Sequence, residues 1–345
     1  MKKLFIVLVM LVAMNASAQW QSDVRLTNDT AASVVSSNNS GRCITISGSI
    51  IHIVWYDFRD GECEIYYKRS TDSGVSWGAD TRLSNGTLNS SNPSIAVSGS
   101  VVHVVWIDYR DGNPEIYYKR STNAGVSWGA DIRMTNNTAN SLQPTVAVSG
   151  SVVHLVWADS RDAATGSLYC KIYYKRSTDA GVTWGADTRL DYDTADSEHP
   201  SIAVSGSIVQ LVFSSSRIYP YPFNWRSETF YKRSTDGGVS WGANTCISTI
   251  DGYQSCFPSI AVSGSYVHVA MYDERGSLNE IYYKRSTNGG VSWGTDVRLS
   301  YNIGLTAYPN IAASSSVVYV VFEVYNTSLT KVKVYYNRST DAGVS

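Results

Sequence analysis

Arginine returns beside aspartate at one recurring place along this 345-residue chain. The copies are Trp55-Tyr56-Asp57-Phe58-Arg59-Asp60, Trp106-Ile107-Asp108-Tyr109-Arg110-Asp111 and Trp157-Ala158-Asp159-Ser160-Arg161-Asp162. Arg217 and Arg275 hold the same place further on, and a final copy reads Glu323-Val324-Tyr325 with no arginine. A guanidinium is a planar fork of donors that fits a carboxylate. Each arginine can clamp an aspartate of its own copy, two residues earlier on the same strand face or one later, or several can converge on the acid group of a ligand. The clamp is the expected reading, because a feature copied five times reads as scaffold.

Other candidates sit where copies differ. Tyr219, Tyr221, Phe223, Trp225 and Arg226 follow Arg217 and offer rings for stacking on a sugar, or simply a packed insertion. Asp191, Asp193, Asp196 and Glu198 replace the neutral residues of Asn136 to Leu142. Such oxygens suit Ca²⁺, but a solvated acidic loop is the expectation and no metal or cofactor is required. His52, His103, His154 and His268 recur at one strand position, with Gln210 and Tyr319 in the other copies, so they read as satisfied, half-buried histidines and not as ligands. Of five cysteines, Cys246 and Cys256 are close enough to close a small ring, Cys43 and Cys63 fall in one repeat, and Cys170 stands alone.

The elements that position these residues repeat as well. Ser70-Thr71-Asp72-Ser73-Gly74-Val75-Ser76-Trp77 returns from Ser121, Ser177, Ser234 and Ser286, and stops one residue short from Ser339. Cutting before each Trp gives units 20–76, 77–127, 128–183, 184–240, 241–292 and 293–345. A period of this length marks a unit that cannot bury its apolar face alone. In the second unit Val75 to Arg82, Ser94 to Ser98, Val101 to Asp108 and Glu115 to Arg120 read as strands. Four antiparallel strands in each of six units make an all-β, six-bladed β-propeller in a single domain, 19–345. Trp20-Gln21-Ser22-Asp23-Val24-Arg25-Leu26 matches Trp77 to Leu83, the segment the last unit lacks, so the N-terminal strand is expected to pair with the last blade and close the ring.

The octapeptide S-x-D-x-G-x-x-W resembles the Asp-box, or bacterial neuraminidase repeat, of the sialidase superfamily. Asp72, Asn123, Asp179, Asp236, Asn288 and Asp341 stand at its acidic position, and Trp77, Trp128, Trp184, Trp241 and Trp293 at its end. Physically it is a turn: a short side-chain oxygen accepts backbone N–H groups, Gly permits positive φ, and Trp packs between sheets. The resemblance places this box away from the ligand face. It also implies, for an exo-sialidase, three arginines on the sugar acid, an aspartate acid/base and a Tyr nucleophile activated by a Glu. Glu323 and Tyr325 are the non-repeated pair available, and Arg59, Arg110, Arg161, Arg217, Arg275, Tyr219 and Trp225 are the ligand-binding candidates.

Lys2, Lys3, an apolar run from Leu4 to Met14 and Ala16-Ser17-Ala18 read as a secretory signal peptide over 1–18. The run is too short to span a bilayer, so no transmembrane segment is expected and the protein is placed outside the cytoplasm, secreted or periplasmic. Without the leader, acidic residues slightly outnumber basic ones, which speaks against nucleic acid as a partner. The leading functional expectation is binding of a glycan or other extracellular ligand at the axial face. Exo-α-sialidase activity is the enzymatic alternative, and an adhesion module of a larger secreted or surface protein the third.

Overall fold

The computed structural model describes residues 24–27, 29–35, 42–163, 169–192, 195–217, 226–275, 279–301, 304–325 and 332–345. The leader, Trp20, Asp193, Tyr219 and Trp225 lie outside them. Six antiparallel sheets succeed one another along the chain as the blades of a β-propeller, and no helix occurs among the described residues. Blade 2 is representative: Ser90–Ser98 lies innermost, followed outward by Val101–Asp108, Glu115–Ser121 and Ile132–Arg133. Innermost strands of successive blades lie against one another around the axis. In blade 1 the inner strand comes in two pieces, Ser33–Val34 and Ile44–Ser47, both paired with Ile50–Asp60.

Alternation along these strands is weak because both faces are covered by neighbouring blades. Val101–Asp108 is buried at every position but its first. Apolar clusters fill the joints; one brings Val105, Ile107 and Tyr118 of blade 2 against Val146, Leu155 and Trp157 of blade 3.

Five of the joints also have a polar fastening. In blade 1 the Tyr67 hydroxyl meets Nδ1 of His52 at 2.6 Å, and its ring meets Trp128 edge-on at 4.9 Å. That hydroxyl points at Gly125 of the following octapeptide, where a Cβ would fall 1.9 Å from it; φ there is +78°, so Gly is required twice over. The octapeptide itself is the expected turn: Asp72 Oδ1 accepts the Ser76 N–H at 2.9 Å, and Ser70 Oγ accepts that of Gly74 at 2.8 Å. Asn123 keeps the acceptor role toward Ser127 N–H. Arg69, Arg120 and Arg285 each donate to a carbonyl of the next turn, on Ala124, Ala180 and Ala342.

Two expectations about strands change. The strand read over Val75 to Arg82 is only Thr81–Arg82, because the turn's hydrogen bonds hold the chain before it out of the sheet. Inner strands begin earlier than expected, at Ser90 instead of Ser94, by way of a bulge between Ser91 and Ser94.

The last blade shows three strands, Leu305–Ser314, Val317–Tyr325 and Val332–Ser339. Pairing of the N-terminal strand with this blade falls largely on residues outside the described ones. The described end of that strand meets blade 1, where Leu26 O accepts from Lys68 Nζ at 2.6 Å just as Leu83 O accepts from Lys119 Nζ. The side of blade 6 turned to blade 1 is more open than the other joints, with Tyr336 59% and Val334 69% exposed.

The cysteines do not pair. Cys246 lies in the outer strand of blade 4 and Cys256 in the inner strand of blade 5, opposite radial ends of their sheets, so nearness in sequence is undone by topology. Cys43 and Cys63 instead meet Pro93 O and Asn89 Oδ1.

The repeated histidines are fully buried, not half-buried, and each meets a tyrosine hydroxyl. Burial, and then the nearby Arg69, Arg120, Arg176 or Arg285, push them down to about 4. A folded-state value below the unfolded one means full stability above pH 6.5, lost as pH falls toward 4. Gln210 makes the same bond to Tyr231 in blade 4 without a titratable ring. His103→Gln is therefore expected to leave stability at pH 8 nearly unchanged and to recover on the order of 2 kcal/mol at pH 4 to 4.5, read by urea denaturation at the two pH values.

Candidate functional site

The recurring arginines do not converge. Asp57, Asp108, Asp159 and Asp273 are buried at strand ends, the first three accepting an indole N–H from Trp55, Trp106 and Trp157. Each also receives its own arginine, Arg59, Arg110, Arg161 or Arg275, at 2.5–2.8 Å. The guanidinium then runs outward over Tyr66, Tyr117, Tyr173 or Tyr282, 4.2–4.4 Å from the ring centre, to Asp80, Asp131, Asp187 or Asp296 beside the outer strand. At least two carboxylates and a ring thus use each fork, and Arg59 also meets Asp29 at 2.7 Å. The hydrogen bond with Asp57 leads in holding Arg59 well above its ordinary pKa, while burial, which works to raise Asp57, is outweighed by the bonds from Arg59, Ser33 and Trp55.

Blade 4 departs from this pattern. Ser215 and Asn244 stand where the two aspartates belong, and Arg217 lies 4.2 Å over the Phe230 ring.

Of the calcium candidates, Asp193 lies outside the described residues, and Asp191 and Asp196 have different partners. Asp191 Oδ1 accepts the Ile172 N–H at 2.7 Å, a role taken by Ser84, Thr135, Ser248 and Ser300 in other blades. Asp196 groups instead with Cys170 and Glu198, their polar atoms all within 4.8 Å of one another. That sulfur and two carboxyls are the described residues with the spacing to hold a cation.

Asymmetry lies on the inner strands. Just before the strand proline, five blades bulge and place a non-glycine residue at positive φ: Asn92, Gln143, His199, Phe257 and Tyr308, between 51° and 54°. Such conformations cost free energy and gather at functional sites. The flanking residues repeat, yet the bulge pair changes in every blade: Ser91-Asn92, Leu142-Gln143, Glu198-His199, Cys256-Phe257, Ala307-Tyr308. Around the mouth these side chains touch in sequence. Gln143 Oε1 accepts the His199 N–H at 2.7 Å, the His199 and Phe257 rings lie 4.2 Å apart, and Phe257 and Tyr308 5.1 Å.

A cavity of about 400 Å³ opens between blades 3, 4 and 5, lined among others by Asp196, Glu198, His199, Gln254, Cys256 and Phe257. Burial first, and then the Asp196 charge, push the Glu198 carboxyl up to about 7. Burial likewise raises Asp196, and pushes His199 down to about 4. Near neutral pH the Glu198 carboxyl is therefore still partly protonated, beside an uncharged imidazole whose Nδ1 lies 3.9 Å from Glu198 Oε2. The Tyr325 hydroxyl donates to Glu323 at 2.5 Å, but Tyr272 donates to Glu274 at 2.8 Å one blade earlier, so the pair is not unique. Burial and that bond hold Tyr325 above the ordinary phenol value, which disfavours the phenolate a nucleophile needs.

Sequence reasoning passed over Gln143, His199, Phe257 and Tyr308. Their signal was available as variable residues inside an otherwise copied strand.

Residues 155–345 match the profile of the BNR repeat-like domain. No curated protein matches the chain. Among solved structures, an ulvan lyase of a polysaccharide lyase family superposes with a TM-score of 0.63 at 9% identity, covering 91% of this chain and 82% of the other. An α-L-arabinanase from Penicillium chrysogenum, complexed with arabinobiose, gives 0.59 at 13% identity, covering 92% and 99%. A sialidase from Streptococcus pneumoniae gives 0.53 at 11%, covering 89% and 70%. At these identities the likeness is one of fold.

The clamps make a prediction that separates scaffold from site. Arg110→Ala leaves Asp108 buried without its main partner and is expected to cost about 3–5 kcal/mol, whereas Arg217→Ala, in the blade without the aspartates, costs about 1 kcal/mol; chemical denaturation of both variants checks the difference.

Proposed function

The chain belongs to the BNR repeat-like family, and on that premise we propose that it is an exported propeller whose axial mouth binds a neutral glycan. The observation that carries this is the cavity set among the variable bulge residues. Its described lining has no lysine or arginine, while Asp196 and Glu198 would oppose a sugar acid. Phe257 and His199 supply ring surface, and Gln254, Ser214 and Ser227 supply hydrogen-bond donors and acceptors for hydroxyls. Neighbours of like fold include proteins titled as an arabinanase, a sialidase and a lyase, which supports a glycan as the ligand. Export rests on the leader at 1–18.

The exo-sialidase alternative has less support, because four of the five recurring arginines are used within their own blades. Electrophoresis of the mature chain through native gels cast with arabinan, xylan or galactan is the test, alongside release of fluorophore from 4-methylumbelliferyl sialic acid. Retardation in at least one neutral polysaccharide, weakened in Phe257→Ala, and no turnover of the sialoside are expected. Sialoside turnover that collapses in Arg59→Ala, Arg110→Ala or Arg161→Ala would overturn the reading in favour of the sialidase.

A further inference from the structure

Resting on that glycan reading of the mouth, we propose that Asp196 and Glu198 form a catalytic carboxyl pair that hydrolyses a neutral glycoside with retention of anomeric configuration. The repeat itself argues that this pair is not scaffold. At the place of Asp196, blade 2 has Asn89, whose Oδ1 accepts the Cys63 N–H at 3.0 Å just as Asp196 Oδ1 accepts that of Cys170 at 2.7 Å. At the place of Glu198 it has Ser91. A neutral pair therefore satisfies the fold, and two neighbouring, partly buried acids beside a buried thiol are a cost the fold does not require. A separate sign of a ligand is Nδ1 of His199, an atom buried at the cavity with no hydrogen-bond partner, as a substrate hydroxyl would supply.

The spacing sets the stereochemistry. One oxygen of Asp196 and one of Glu198 lie within 4.8 Å of each other, which fits the roughly 5–5.5 Å carboxyl separation of retaining glycosidases better than the roughly 6.5–9.5 Å that leaves room for an attacking water. Burial raises both carboxyls, and roles divide by what acts beside it: the Cys170 N–H and the Lys171 charge pull Asp196 back toward the ionised form, whereas the Asp196 charge pushes Glu198 further toward the protonated one. In the first step a carboxylate oxygen of Asp196 attacks the anomeric carbon. The bond from that carbon to the glycosidic oxygen breaks, its electron pair stays on the oxygen, and the Glu198 proton completes the departing alcohol. In the second step water attacks the glycosyl ester, Glu198 takes one of its protons, and the ester bond breaks with its electron pair returning to Asp196. The sum is glycoside plus water giving a reducing sugar plus an alcohol.

The experiment uses the mature chain with 4-nitrophenyl α-L-arabinofuranoside, β-D-xyloside and β-D-galactoside, with arabinan, xylan and galactan followed by reducing ends, and with the polysaccharide gels. Expected are turnover of at least one probe, a first-formed product of retained configuration by proton NMR, and covalent labelling of Asp196 by the matching 2-deoxy-2-fluoro glycoside. Glu198→Gln should lower kcat/KM by about 10²–10⁴-fold and remove the alkaline limb of the pH profile. Asp196→Asn with Glu198→Ser restores the blade 2 residues, so this double variant should fold, remain retarded in the gels and turn nothing over. Because Glu198 binds its proton more tightly when folded, its penalty develops as pH rises from 4.5 to about 7, and the double variant should gain more Tm at pH 8 than at pH 4.5. An inverted product, or turnover indifferent to both variants, overturns the pair. Gel retardation without turnover of any probe overturns catalysis and leaves the glycan reading standing, whereas neither retardation nor turnover overturns both.

Discussion

A tyrosine hydroxyl pressed against an α-carbon that bears no side chain joins one blade to the next. Tyr67 on Gly125, Tyr118 on Gly181, Tyr174 on Gly238, Tyr231 on Gly290 and Tyr283 on Gly343 are the same contact five times. The hydroxyl is held from behind by a buried histidine or by Gln210, and in four joints the ring meets a Trp edge-on. No side chain larger than hydrogen fits, so the octapeptide glycine is a packing requirement as much as a turn requirement. Spacing and tilt of the blades follow from these joints, and with them the place of every inner strand. Tyr336 and Gly74 are the same two pieces at the seam between blades 6 and 1, where Tyr336 stays exposed.

A ring built this way is symmetric, and symmetry is of little use to a ligand that is not. The arginine clamps show the symmetric solution to a local problem: an aspartate buried at a strand end to hold an indole must be neutralised, and the guanidinium does so while stacking on a ring of the next strand. The mouth shows the opposite. There the backbone bulges identically in five blades but carries five different side chains, a conserved shape with a variable lining. Strain is spent at these bulges, and acids whose charge the scaffold does not require collect at the same place.

Much of this was legible in the sequence, for physical reasons that differ by element. The octapeptide announced six blades because each of its residues answers a constraint of its own, acceptor, positive φ or packing surface. Its short side-chain hydrogen bonds also explain why the strand expected over Val75 to Arg82 shrinks to Thr81–Arg82. Arginine within two residues of aspartate was readable as a clamp, but its second partner, some twenty residues on beside the outer strand, was not, since only the sheet brings Asp131 to Arg110. Cys246 and Cys256 misled because the nine residues between them lead from an outer strand to the next inner one across a whole blade. The cavity was hidden for the opposite reason: Glu198 looked like part of a solvated loop, and only the bulge turns it and His199 toward the axis beside Phe257 from the next blade.

The central claim, that the ligand site is the asymmetric mouth on a symmetric ring, is tested most directly by a crystal structure of the mature chain soaked with mixed neutral oligosaccharides from arabinan, xylan and galactan digests. Sugar density in the cavity, with rings against Phe257 and a hydroxyl at His199 Nδ1, is the predicted result. Density confined to the clamp arginines, with the mouth left open to solvent, would contradict it.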